Sequence, residues 1–413
     1  MISVLLLVGC DEQIRRIDPF PVSIDLGTGA AVGGVSINDG EPLRVLVDTL
    51  SPVTIFDPGP GQPITRRRVD LRLYAVNPSG DPTVPRARFT GTESFDLHPC
   101  GDQEICTVGT TDSTLEIEGI VGFDVLGRSA VTFDFPRSAI EFSPDIAGQN
   151  QSRRQNCEAE FPGPFAGGGT LQLGDDDEPF PGRRPAVRAC LGPGEGIESE
   201  QQGANALLII ATGYPITLIS QAAYERFRAE FPGTPALSEL PEEVIDLPSG
   251  RRSLNVGQVP QMAIVGQPRG ERGACRELYA NRVMAAGGCD QTAVGDCPCP
   301  DDNQQEVDFC RAGSVILMRR TIRVAIVPDE EPLLQALRDE LRPGLPEVDG
   351  LLSPTDLVDL RVAFDYPNGR ILMTCEVRGT CVTRPVVTSR SQARELQDVC
   401  PEDTGPLDAG IAD

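Results

Sequence analysis

The chain predicts a mainly β fold made of two duplicated lobes with few short helices, and three observations lead there. Glycine and proline are abundant, 43 and 37 of 413 residues, and tryptophan is absent, a composition that punctuates short strands better than it builds long helices. Apolar residues come in strand-length runs more often than at helical spacing. Finally, two separate segments each occur twice, in the same order along the chain.

The first recurrence sets "VLVDTLSPVTIF" against "LIIATGYPITLI" at a constant offset of 163 residues, from 45 to 208. Thr49 falls on Thr212, Pro52 on Pro215 and Thr54 on Thr217. The second sets "GIVGFDVLGRSAVTFDFP" against "GLLSPTDLVDLRVAFDYP" without a gap, at an offset of 231 residues, from 119 to 350. Gly119, Leu126, Val131, Phe133, Asp134 and Pro136 meet Gly350, Leu357, Val362, Phe364, Asp365 and Pro367. Two segments repeating in one order imply a duplicated unit. Because the offset grows from 163 to 231, the second lobe carries 68 extra residues between its motifs. The cluster Cys275, Cys289, Cys297, Cys299 and Cys310 lies in that stretch. The boundaries read as a leader segment at 1–10, a first lobe at 20–146, a linker at 147–165, a second lobe at 166–382 with a Cys-rich insertion at about 270–312, and a tail at 383–413.

Within the lobes, "RRVDLRLYAV" and "RRTIRVAIV" read as strands, and "VTFDFPRSAIEF" and "VAFDYPNGRILM" as hairpins. Helices are expected in "SQAAYERFRAEF", opening at Ser220, and in "EEPLLQALRDEL", ending near Pro343. "GDDDEPF" (174–180) lacks the spaced ligands and glycine of a calcium loop and reads as an acidic surface loop. The net charge of −25 makes a nucleic-acid backbone an unsuitable partner. No cofactor and no metal are expected.

The chain begins with an apolar run, Ile2 to Gly9, that ends at Cys10 and turns polar at Asp11-Glu12-Gln13. "LLLVGC" resembles the lipobox of bacterial lipoproteins, which implies cleavage before Cys10, lipidation of its thiol, a membrane anchor and a place in the cell envelope, on the periplasmic or surface side. The run is too short to span a bilayer. Setting Cys10 aside leaves an even twelve of the 13 cysteines, a disulfide complement suited to an exported protein. Cys100 and Cys106 bracket a short turn and form a candidate local pair. The later cluster has no C-x₂-C pair and no nearby histidine, so disulfides are favoured there over zinc. The single histidine, His98, reads as a solvated loop residue.

Taken together, "LVDTLS" and "GIVGFDVLG" in one half, with "IIATGY" and "DGLLSPTDL" in the other, resemble the pepsin/retropepsin superfamily of aspartic proteases. The resemblance implies two β-barrel lobes, each presenting an Asp-Thr-Gly loop, and a cleft that takes an extended peptide. Asp48, Thr49 and Ser51 fill the first loop, with Leu50 in the glycine position. Thr212 and Gly213 fill the second, but Ala211 stands where the second aspartate belongs, and Tyr214 replaces a small hydroxyl residue. Ser353 replaces the glycine of the later motif. The ungapped alignment sets Asp124 against Thr355 and Asp356 against Val125, which puts neither carboxylate at the centre. The family's chemistry needs two carboxylates sharing one proton, and Leu50 is expected to crowd a turn that glycine makes easily. The expectation is therefore a non-catalytic module for binding a peptide or an envelope protein, or for structure. The rival is an aspartic endopeptidase using Asp48 through dimerisation of first lobes.

Overall fold

The computed structural model describes residues 21–23, 25–38, 40–56, 66–76, 82–96, 107–110, 113–143, 159–161, 165–173, 176–192, 203–248, 250–265, 275, 315–340, 347–366, 370–377 and 379–384. The expectations for Cys10, His98, Cys100, Cys106 and the cysteines from 289 to 310 lie outside these residues.

In the first lobe the strands are β1 (Pro21–Ser23), β2 (Val32–Ile37), β3 (Leu43–Val47), β4 (Thr54–Phe56), β5 (Arg66–Val76), β6 (Pro82–Asp96), β7 (Thr107–Thr110) and β8 (Ser113–Glu116). They are followed by β9 (Gly119–Val121), the one-turn helix α1 (Phe123–Leu126), β10 (Ala130–Asp134) and β11 (Ala139–Ser143). Six of the strands close a barrel in the order β2-β3-β9-β4-β6-β5. Its interior is apolar, with Val35, Val45, Val47, Phe56, Leu71 and Val121 all buried.

The second lobe begins with β12 (Ala159–Phe161), β13 (Phe165–Leu173), β14 (Asp176–Leu191), β15 (Ala204–Ile210) and β16 (Thr217–Ser220). Helix α2 (Gln221–Glu230) opens as the sequence predicts, with the Ser220 hydroxyl accepting the Ala223 N–H at 3.2 Å. Then come β17 (Glu242–Leu247), β18 (Gly250–Val259), β19 (Met262–Val265), β20 (Val315–Met318), β21 (Ile322–Val327) and α3 (Pro332–Glu340). The lobe ends with β22 (Gly350–Leu352), α4 (Pro354–Leu357), β23 (Leu360–Asp365), β24 (Arg370–Cys375) and β25 (Cys381–Arg384).

The register repeats to the residue. Val45 pairs in parallel with Gly119 and Val47 with Val121, as Leu208 pairs with Gly350 and Ile210 with Leu352. Antiparallel to these, Ile55 faces Ile120 and Leu218 faces Leu351. The two glycines explain themselves: a Cβ on Gly119 would lie 2.6 Å from the Ile55 carbonyl oxygen, and one on Gly350 would lie 2.0 Å from that of Leu218.

A six-stranded sheet, β1-β11-β10-β23-β24-β12, joins the lobes. Thr132 and Ala363, which occupy the same place in the two repeats, pair with each other across β10 and β23. A pseudo-twofold axis therefore passes between them, and Phe133 and Phe364 meet edge to face beside it with centroids 5.7 Å apart. The fold is mainly β, two duplicated lobes with few short helices. The lobes differ in their sheets. Strands of the second run on into a thirteen-stranded sheet, which also takes the β7–β8 hairpin of the first lobe through the pairing of Ile245 with Thr110.

Two local expectations are corrected. Residues 176–180, read as a loop, belong to β14, where antiparallel pairing with β13 outweighs their charge. The stretch read as linker contains β12, a three-residue edge strand held by β24 and needing no apolar alternation of its own. Two disulfides are described: Cys275 pairs with Cys190 in β14, and Cys375 with Cys381.

The Cys190–Cys275 bridge closes 85 residues and the Cys375–Cys381 bridge closes 6. Chain entropy scales with the logarithm of loop length, which makes the longer bridge worth roughly 2 kcal/mol more. Cys190→Ala/Cys275→Ala is expected to lower the urea midpoint clearly further than Cys375→Ala/Cys381→Ala.

Candidate active site

Each lobe delivers a loop to the axis, and the two loops interlock through their threonines. The Thr49 N–H donates to Thr212 Oγ1 at 3.0 Å, and the Thr212 N–H donates to Thr49 Oγ1 at 3.3 Å. Each hydroxyl then donates across the axis: Thr49 Oγ1 to the Ile210 carbonyl and Thr212 Oγ1 to the Val47 carbonyl, both at 2.6 Å. All four groups are buried. The residue preceding each threonine is anchored alike, Asp48 N–H to the Val121 carbonyl at 3.0 Å and Ala211 N–H to that of Leu352 at 2.9 Å. Asp48 and Ala211 thus stand at equivalent places on either side of the axis.

The carboxylate of Asp48 is 2 % exposed, and its Oδ1 accepts the Leu50 N–H at 2.9 Å and the Gly213 N–H at 3.1 Å. A Cβ on Gly213 would lie 2.7 Å from Asp48 Cγ, so glycine is needed there to admit the carboxylate. Position 50 is the mirror place of 213, and it faces Ala211. An alanine leaves room for a side chain at 50, and Leu50 uses it. Leu50 is buried in one apolar cluster with Ala211, Tyr214, Ile216 and Leu247 of the second lobe. The crowded turn expected at Leu50 does not occur, since among the described residues only Asn38 and Ser138 are non-glycines with positive φ. Leu50 and Ala211 are two halves of one change.

Sequence reasoning missed Arg184. It lies in β14, is 8 % exposed, and donates from Nε to the Leu50 carbonyl at 3.0 Å. Its charge favours the ionised Asp48. Nothing in "PGRRPAV" marks it, because its role comes from a strand of the other lobe. Ser51 turns its N–H to the carboxylate and donates its hydroxyl to the Val53 carbonyl at 2.8 Å.

Behind the loops each lobe has a Thr–Asp pair. Thr54 donates to Asp124 Oδ1 at 2.6 Å, and Thr217 donates to Asp356 Oδ2. Asp356 is therefore the counterpart of Asp124, one position off the ungapped alignment. The reason is local. In the first lobe Phe123 N–H donates to the Ser51 carbonyl at 2.9 Å. Its counterpart is Pro354, which has no N–H. Ser353 instead donates its hydroxyl to the Tyr214 carbonyl at 2.8 Å, which explains serine in place of glycine and shifts the following turn by one residue.

Burial raises three carboxyls, Asp48, Asp124 and Asp356, from 3.8 to about 6. For Asp48 the Leu50 and Gly213 N–H groups and the Arg184 charge oppose the rise; for Asp124 and Asp356 the threonine hydroxyls do. The same burial lowers Arg184 to about 10, so it stays cationic at neutral pH.

No protein-family profile and no curated protein sequence matches the chain. Among solved structures, soybean basic 7S globulin is similar at 11 % identity and a TM-score of 0.40, over 87 % of this chain and 95 % of that one. An aspartic proteinase from Irpex lacteus is similar at 10 % identity and a TM-score of 0.34, over 88 % of this chain and 100 % of that one. The two-lobed assignment stands on the repeated register and the axis.

Two outcomes are expected. Thr49→Val or Thr212→Val, each stranding a buried N–H, should cost about 1–3 kcal/mol in denaturant titrations. The double variant should cost less than the sum, because the two side chains share one network. Second, a carboxyl raised in the native state holds its proton where the unfolded chain has lost it, so stability falls as pH rises from 3.8 to about 6. The ceiling is about 3 kcal/mol per group. The triple variant Asp48→Asn/Asp124→Asn/Asp356→Asn should flatten that slope in thermal melts across the same range.

Proposed function

We propose that the chain is a non-catalytic lipoprotein of the bacterial cell envelope, anchored through a lipid on Cys10. Its acid-protease-like scaffold serves as a module for binding a peptide or protein, or for structure. The observation that carries this reading is the content of the axis: Ala211 faces Asp48, and Leu50 fills the room that a second carboxylate would need. A lone carboxylate has no partner with which to divide the roles of base and acid. The cationic Arg184 on its other side favours a fixed negative charge over a shared proton.

The alternative, an endopeptidase assembled from two first lobes, has the interlock against it. The N–H and hydroxyl of Thr49 are both engaged by the chain's own second lobe, and a second first lobe would have to displace those bonds. Anchoring rests on the "LLLVGC" resemblance and on cysteine content suited to export.

The test is a cleavage assay on the soluble part from Asp11, made in an oxidising compartment and incubated with a diverse peptide pool from acidic to neutral pH. No product above the Asp48→Asn background is expected. Cleavage that disappears in Asp48→Asn and with a pepstatin-type inhibitor would overturn the non-catalytic reading. For the anchor, Cys10→Ala in a bacterial host should move the full chain from the membrane fraction to the soluble one; an unchanged distribution rules out lipidation at Cys10.

A further inference from the structure

Three contacts tie the loop Asp48–Ser51 of the first lobe to the second, over and above the threonine interlock. The Leu50 side chain sits in the apolar cluster of the second lobe with Ala211, Tyr214 and Ile216. The Leu50 carbonyl accepts Arg184 Nε at 3.0 Å. The Asp48 carboxylate accepts the Gly213 N–H at 3.1 Å. The first and the third have no twin about the axis, since Gly213 has no side chain and Ala211 no carboxylate.

Burying a guanidinium is costly unless a counter-charge and hydrogen bonds compensate it. Arg184 is 8 % exposed, and the Asp48 carboxylate is the leading charge that favours its cationic form. Among the described residues, the groups facing Asp48 are Arg184 from β14, Gly213 from the turn after β15, Tyr366 just after β23, and the Leu50 and Ser51 N–H groups of its own loop. Arg184 is the only cation among them.

We propose that Arg184, Asp48 and Leu50 form an electrostatic latch between the lobes, in which Asp48 is the counter-charge of a buried guanidinium and Arg184 a positioning residue that clamps the Leu50 carbonyl. The latch occupies the axis with the chain's own groups and fixes the lobes in one relation. It does not depend on whether the chain is lipid-anchored or on what it binds.

The test is a double-mutant cycle of Arg184→Met and Asp48→Asn on the soluble chain, read by denaturant unfolding at about pH 7.5 and about pH 4.5. At the higher pH each single variant leaves a buried charge alone and should lower the folding equilibrium constant by about 100-fold or more. The double variant should lose clearly less than the product of the two. At the lower pH, where Asp48 is protonated, the Arg184→Met loss should shrink and the coupling should largely vanish. In parallel, the pH midpoint reported by the Gly213 amide resonance should move upward in Arg184→Lys and further in Arg184→Met, a change that a merely packing role for the arginine stem would not produce. Should Arg184→Met fail to fold, the Arg184→Lys midpoint and its cycle with Asp48→Asn decide. Losses that multiply independently at the higher pH, or an unmoved Gly213 midpoint, would overturn the latch.

Discussion

Four buried hydrogen bonds that Thr49 and Thr212 make across the axis are the constraint on which the rest of the molecule depends. Each threonine spends its N–H, its hydroxyl proton and a hydroxyl lone pair on the other lobe, so neither loop satisfies its polar groups alone. A buried polar group without a partner is expensive, and separating the lobes would strand several at once. The pairing of Thr132 with Ala363 fixes the same axis from below. Between those two points the lobes have little freedom to rotate, and positions 48 and 211 must meet.

Much of this was legible in the sequence because duplication leaves a periodic trace. The offsets of 163 and 231 residues carry through to strand register without a slip at Gly119 and Gly350 or at Ile55 and Leu218. Helix α2 was legible through its Ser220 cap. What could not be read has no period. Arg184 matters through a contact across lobes, and the β7–β8 hairpin joins the second lobe's sheet by long-range pairing. The shift from Thr355 to Asp356 arises because Pro354 lacks one hydrogen atom and Ser353 replaces its bond. An alignment scored by residue likeness cannot see that.

The substitutions at 50 and 211 also look different in three dimensions. Read singly, Leu50 is a residue too large for its turn and Ala211 a lost acid. Set across the axis, each is the condition for the other. The approach of 2.7 Å that a Cβ on Gly213 would make to the Asp48 carboxyl carbon is what any side chain at 50 would impose on an aspartate at 211. Once 211 is alanine, the constraint on 50 disappears, and a leucine gains the favourable burial of an apolar side chain.

The electrostatics follow from that asymmetry. Two facing carboxyls set each other's protonation, because both cannot ionise at close range. With only one, the state of Asp48 is decided by burial, which favours the neutral acid, against the Leu50, Gly213 and Ser51 N–H groups and the Arg184 cation, which favour the anion. The symmetric part of the structure, the threonines and the carbonyls of Val47 and Ile210, is indifferent to this balance, since none of its groups titrates. Architecture and chemistry are therefore carried by different atoms of the same two loops. Residues 48, 50 and 211, with Arg184 supplied by β14, decide the charge at the axis, while the bonds of the interlock are made by other atoms.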